Sequence, residues 1–168
     1  MRANTPTTPE IDRFNLPWDL SAWAAKPELL AWLDEEIGTL DWDNPELVAI
    51  LKANPAYPPR FWLTLLSYAY AQGIFESDEV AALYFKESPL RIRFPGQTAG
   101  AAALAKFRRE NKGLLKWCLV ELFKRVLREK FELGDTLLPA GLRRYLVDAA
   151  TARLDVARDI DRAASGAL

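Results

Sequence analysis

The sequence predicts an all-α protein, a compact multi-helix bundle of about seven to eight helices with a helix-turn-helix-like centre. Three observations lead there. Apolar residues recur at three- and four-residue spacing in one segment after another. Prolines open these segments, and glycines or further prolines close them. Of the 168 residues 50% are hydrophobic and 27% charged, enough apolar material to bury a core without disulfide or metal and too much for wholesale disorder.

Four regions follow in order. Residues 1–13, rich in Thr and Pro, read as a flexible lead-in, with order beginning at Phe14, Leu16 and Trp18. Residues 14–56 form an acidic helical layer. In it Asp19 or Ser21 caps a short turn through Trp23, and Pro27 opens a helix over 27–37 that Gly38 ends. Leu29, Leu30, Trp32, Leu33 and Ile37 give that helix its stripe. Asn44-Pro45 signals a second helix, stopped at Asn54-Pro55.

Residues 57–131 form a basic module, and its helix over 59–72 is apolar on nearly every face, which places it at the centre of the fold. Gly73 ends that helix, Ser77 caps the next one to about Glu87, and Arg91-Ile92-Arg93-Phe94 alternates as an extended piece would. Thr98 is expected to cap a helix over 99–111. After a break at Lys112-Gly113 a wide stripe through Leu115, Cys118, Leu119, Leu122 and Val126 predicts a helix over 114–131, with Glu121 and Arg125 spaced to pair. In the last region, 132–168, Pro139 starts an amphipathic helix to about Ala164, with Tyr145, Leu146, Ala149, Ala152, Val156 and Ile160 along one face.

The chemistry is sparse. The chain holds no histidine, so histidine triads are excluded, and no metal-ligand spacing or phosphate-cradling glycine loop occurs. No catalytic residue, metal or cofactor is expected, and no small-molecule substrate is implied. The single cysteine, Cys118, lies in an apolar run and reads as a buried structural thiol. The carboxylates Asp34-Glu35-Glu36, Asp41, Asp43, Asp155, Asp159 and Asp161 read as solvated faces in preference to acid–base pairs. A polar N-terminus and the lack of a membrane-length apolar run predict a cytoplasmic protein without membrane contact.

The net charge of −1 conceals segregation. Residues 1–56 carry 4 basic and 10 acidic side chains, residues 57–131 carry 13 and 7, and residues 132–168 carry 5 and 6. Such asymmetry suggests an anionic partner. Arg91, Arg93, Lys106, Arg108, Arg109, Lys112 and Lys116 are the candidate contacts, since each cation can replace a counterion at a phosphate. Lys106, Arg109, Lys112 and Lys116 step by three and four residues and share one face; a solubilising surface would show the same pattern. Phe107 among them reads as a core anchor. Tyr68 to Phe85, with glycine at the turn, fits a helix-turn-helix as well as an ordinary helical hairpin.

The motifs Tyr57-Pro58-Pro59, Tyr68-Ala69-Tyr70-Ala71-Gln72-Gly73-Ile74, Ser77-Asp78-Glu79-Val80 and Lys106-Phe107-Arg108-Arg109-Glu110-Asn111 resemble the N-terminal domain of DDE-type insertion-sequence transposases. The resemblance covers about residues 55–130. It implies a DNA-associated helical module. Where the family has a Pro-Asp or similar start and a Ser or Thr before its Phe-Arg-Arg helix, this chain reads Gly96-Gln97-Thr98-Ala99-Gly100-Ala101-Ala102-Ala103, and alanines offer little to a base edge. About 38 residues follow the module, so the family's ribonuclease H-like catalytic domain is expected to be missing.

The expectation is therefore a non-catalytic DNA-binding or DNA-associated regulator that meets phosphates more than bases. The competing class is a protein-interaction module, as a homo-oligomer or an assembly subunit, that kept the fold and lost DNA. The acidic N-terminal layer is also a candidate mask for the basic face, in which case deleting residues 1–54 raises DNA affinity.

Overall fold

The computed structural model describes residues 15–41, 59–135, 137–164 and 166. The lead-in 1–13, the expected helix at Asn44-Pro45 and the Tyr57-Pro58 motif lie outside them. Seven α-helices follow a short 3-10 turn at Leu20–Ala22: α1 Lys26–Gly38, α2 Pro59–Ala71, α3 Ser77–Lys86, α4 Ser88–Arg93, α5 Ala101–Glu110, α6 Lys112–Lys130 and α7 Ala140–Ala164. The described residues contain no strand. The all-α multi-helix fold expected from periodicity is the fold observed.

Helix α2 is the centre. Phe61 through Ala71 are all buried, and α1, α3, α5 and α6 pack against them. Its buried Thr64 hydroxyl donates back to the Arg60 carbonyl at 2.7 Å. The helix stops because Gly73 takes φ +73°, so that its N–H reaches the Tyr70 carbonyl and the Ile74 N–H reaches the Ala69 carbonyl. This is a Schellman ending, and the left-handed residue it needs is costly for anything but glycine.

Three local expectations are corrected. Residues 88–93 are helical, not extended: Pro89 presets the first turn, Leu90 is fully buried, and the Arg91 guanidinium folds back onto the carbonyls of Tyr84 and Phe85 at the end of α3. Neither Ser77 nor Thr98 caps a helix. Ser77 is the first residue of α3, with Glu76 at the cap, and α5 starts from Gly100 without a side-chain cap. Glu121 pairs with Lys124 at 3.0 Å, not with Arg125, whose guanidinium meets Glu129, Glu35 and Glu36.

Helix α7 is rotated from its expected position. Leu142, Leu146, Ala150, Leu154 and Ala157 are its buried face, with Arg153 among them; Tyr145, Ala149, Ala152, Val156 and Ile160 flank it. Leucines at four-residue steps bury more area than the alanine-rich neighbouring stripe, so they set the face. Near its C-terminal end α7 meets α3 and α5 through Asp161, which bonds Ser77 and Arg108. Asp19 does cap the first turn, accepting from the Ser21 N–H at 2.9 Å.

Candidate nucleic-acid interface

The rotated α7 closes one side of a groove of about 610 Å³ that α3, α5 and α6 complete. Its floor is small. Ala101, Ala102 and Ala105 line it from α5, where Leu104 and Phe107 turn the opposite way into the core. Above that floor Arg109 from α5, Lys112 from α6, and Arg158 and Arg162 from α7 face the same space. Glu76 and Asp78, at the start of α3, line the far edge.

Of the seven residues expected to contact phosphate, the groove collects Arg108, Arg109 and Lys112. Arg109 is exposed and makes no ion pair among the described residues. Lys112 is half-exposed, with its ammonium 3.5 Å from Asp155. Arg108 requires a correction. It is 4% exposed, and its guanidinium donates to Asp161 at 2.6 Å. The Leu104 to Arg108 step points it inward. Asp161, expected on a solvated face, also accepts the Ser77 hydroxyl at 2.8 Å and so joins α7, α5 and α3. A guanidinium buried in that triad is a structural clamp.

The other four lie apart from the groove lining. Lys106 projects from α5 beside Glu110, 3.8 Å away. Lys116 is half-buried on α6, without an ion pair among the described residues. Arg91 caps α3 as described above. Arg93 is bound at 2.8 Å to Asp34, which also holds Arg60 at 3.2 Å.

The acidic layer therefore covers part of the expected basic set. Asp34 takes Arg93, while Glu35 and Glu36 take Arg125. Of the groove cations, Arg108, Lys112 and Arg158 meet carboxylates of α7 instead. Deletion of residues 1–54 is no clean test of masking, because Leu29, Leu30, Leu33 and Ile37 of α1 are fully buried.

Helix α3, the second helix of the helix-turn-helix-like pair, presents Asp78 and Glu79 in its first turn. The N-terminal residues of a recognition helix approach base edges beside phosphates, where two carboxylates are repelled. The groove shares Asp78 with that helix start, but its five lining cations outnumber its three carboxylates, Glu76, Asp78 and Asp161, and it is the better nucleic-acid candidate. No protein-family model, curated protein or solved structure matches this chain.

Sequence reasoning missed Arg158 and Arg162. Their four-residue spacing was a signal, and it needed only the Leu142, Leu146, Leu154 register to place them on the groove side. No group of three or more potential metal ligands occurs among the described residues. Cys118 is buried, which pushes its thiol up to about 12. No helix of the described residues is long and apolar enough to cross a membrane.

Proposed function

We propose that this protein is a non-catalytic DNA-associated binder that holds the phosphate backbone in the groove between α5, α6 and α7. One observation carries the reading: Arg109, Lys112, Arg158 and Arg162, from two segments distant in sequence, converge over a floor of alanines. Side chains that short leave room for an extended polyanion, and cations on opposite walls contact it from both sides. Among the described residues no aromatic lines the groove, so base stacking contributes little and recognition is indifferent to sequence. The resemblance of residues 55–130 to transposase N-terminal domains supports the same partner, and a cytoplasmic location suits it.

Four cations imply at most about four neutralised phosphates and a slope of log affinity on log salt between roughly −2 and −4. Fluorescence anisotropy with a labelled duplex, at low and at physiological salt, measures it. Arg109→Glu/Lys112→Glu is expected to weaken binding at least about tenfold, two charge reversals being worth more than 1.4 kcal/mol at low salt. Arg108 is left intact because reversing a buried charge disrupts the fold. Undiminished binding by that variant refutes the reading.

A second reading, a protein-interaction module, is favoured by the exposed apolar pair Phe85 and Ile92, 67% and 77% accessible on α3 and α4. Light scattering distinguishes it: a salt-insensitive oligomer that ignores duplex DNA supports this alternative.

A further inference from the structure

Two of the groove cations already have anions beside them, Asp155 and Asp159, which lie just outside the groove lining. Asp155 Oδ1 lies 3.5 Å from Lys112 Nζ and 3.5 Å from Arg158 Nη1, so one carboxylate oxygen bridges a cation of α6 and a cation of α7. Asp159 holds Arg158 Nε at 3.0 Å. A phosphate oxygen arriving in the groove would occupy the same kind of position. We propose that Asp155 and Asp159 are an intramolecular competitor for the nucleic-acid phosphates, keeping the groove weak until a polyanion displaces them. This rests on the reading of the groove as a nucleic-acid site.

Burial separates these two carboxylates from the third. The Asp161 side chain is 13% exposed and its partner Arg108 5%, so breaking that pair strands a buried charge. Asp155 and Asp159 are 40% and 64% exposed, Lys112 and Arg158 51% and 38%. Exposed pairs hold each other weakly, and water or another anion replaces either partner at little cost. Asp159 also stands near the C-terminus of α7, where the helix dipole disfavours negative charge. The arrangement contributes little to the fold and much to the potential inside the groove.

Displacement changes the salt dependence as well as the affinity. The condensed counterions belong to the nucleic acid, and a displaced carboxylate that stays beside the phosphate offsets part of its neutralisation, so fewer of them are released. Removing the carboxylates restores both terms. Asp155→Asn/Asp159→Asn is expected to tighten binding of a fluorescein-labelled mixed-sequence duplex about three- to tenfold at low salt, with a slope steeper by about one to two. The thermal midpoint should be unchanged.

The control is Asp135→Asn/Asp148→Asn, which makes the same change in net charge at exposed positions outside the groove lining. It is expected to alter affinity less than about twofold. An equal gain in the control overturns the proposal in favour of a net-charge effect, and so does an unchanged affinity in Asp155→Asn/Asp159→Asn. Either outcome leaves the groove standing as a DNA site. If neither the native chain nor Asp155→Asn/Asp159→Asn binds duplex at low salt, the reading of the groove itself falls, and the competitor with it.

Discussion

Arg153 provides the sharpest test of how this bundle is held together. It is 2% exposed and faces no carboxylate; its guanidinium donates to the carbonyls of Pro17 at 2.8 Å, Tyr70 at 3.2 Å and Ala149 at 3.2 Å. It also lies 4.8 Å from the ring centroids of both Trp18 and Phe123. Burial pushes its pKa down to about 10, so keeping it charged near neutral pH costs about 3 kcal/mol. Arg153→Met removes that cost but leaves the Pro17 carbonyl without its donor, about 1–3 kcal/mol, loses a second bond at the Tyr70 and Ala149 carbonyls, about 0.5–1.5 kcal/mol each, and forfeits two ring contacts worth about 1–2 kcal/mol together. At the middle of these ranges the expected net is a destabilisation of roughly 2–3 kcal/mol, or a thermal midpoint lower by about 4–12 °C in a chain of this size. Calorimetry measures it. Chymotryptic cleavage after Trp18 should accelerate in parallel, because the Pro17 carbonyl is where the N-terminal arm is fastened. A methionine variant as stable as the native chain, with an equally protected arm, would mean that the guanidinium merely fills space.

Two further outcomes follow from the buried groups. Asp161→Ala strands the Arg108 charge and should cost about 3–5 kcal/mol, whereas Arg108→Met/Asp161→Leu should recover most of that loss; denaturant midpoints decide, and a single-variant cost under about 1 kcal/mol removes the clamp from the account. At alkaline pH, Cys118, pushed up to about 12, and Tyr68 and Tyr70, also pushed up, owe their shifts chiefly to burial. The folded chain retains these three protons after the unfolded chain has lost them, so stability falls with rising pH by about 1.4 kcal/mol per unit for each group. Arg153 opposes this above about pH 10, because the folded state releases its proton first. The net expectation is a loss near 3 kcal/mol per unit between about pH 10 and 12, with Tyr68 and Tyr70 ionising only as the chain unfolds; tyrosinate absorbance that rises fully before helicity is lost contradicts it.

Periodicity reached as far as the apolar side chains could take it. The all-round apolar character of Phe61 to Ala71 fixes α2 at the centre, and Gly73 marks its end, because both effects are local to a few residues. The face of α7 was misjudged for a related reason. An arginine inside a stripe reads as its polar boundary, and Arg153 is paired with carbonyls from Pro17 and Tyr70, 136 and 83 residues away. Nothing in the neighbourhood of Arg153 announces partners at that separation. Arg91 deceived in the opposite sense: alternation suggested a strand, whereas the side chain completes a helix end that precedes it.

The same distinction applies to the basic set. Three- and four-residue spacing puts Lys106, Arg109, Lys112 and Lys116 on one face, but the chain breaks between α5 and α6, and of the four Arg109 and Lys112 line the groove. Whether a cation on that face is free, exchangeable or clamped depends on what the last helix presents to it, and three aspartates of α7 present different answers. Asp161 reaches past the rim to a buried guanidinium and becomes part of the core; Asp155, two turns earlier, stops at the rim beside Lys112. Charge counts by segment cannot distinguish the two cases, because both add one negative charge to the same stretch; only burial does, and it converts one carboxylate into a determinant of stability and leaves the other to modulate affinity.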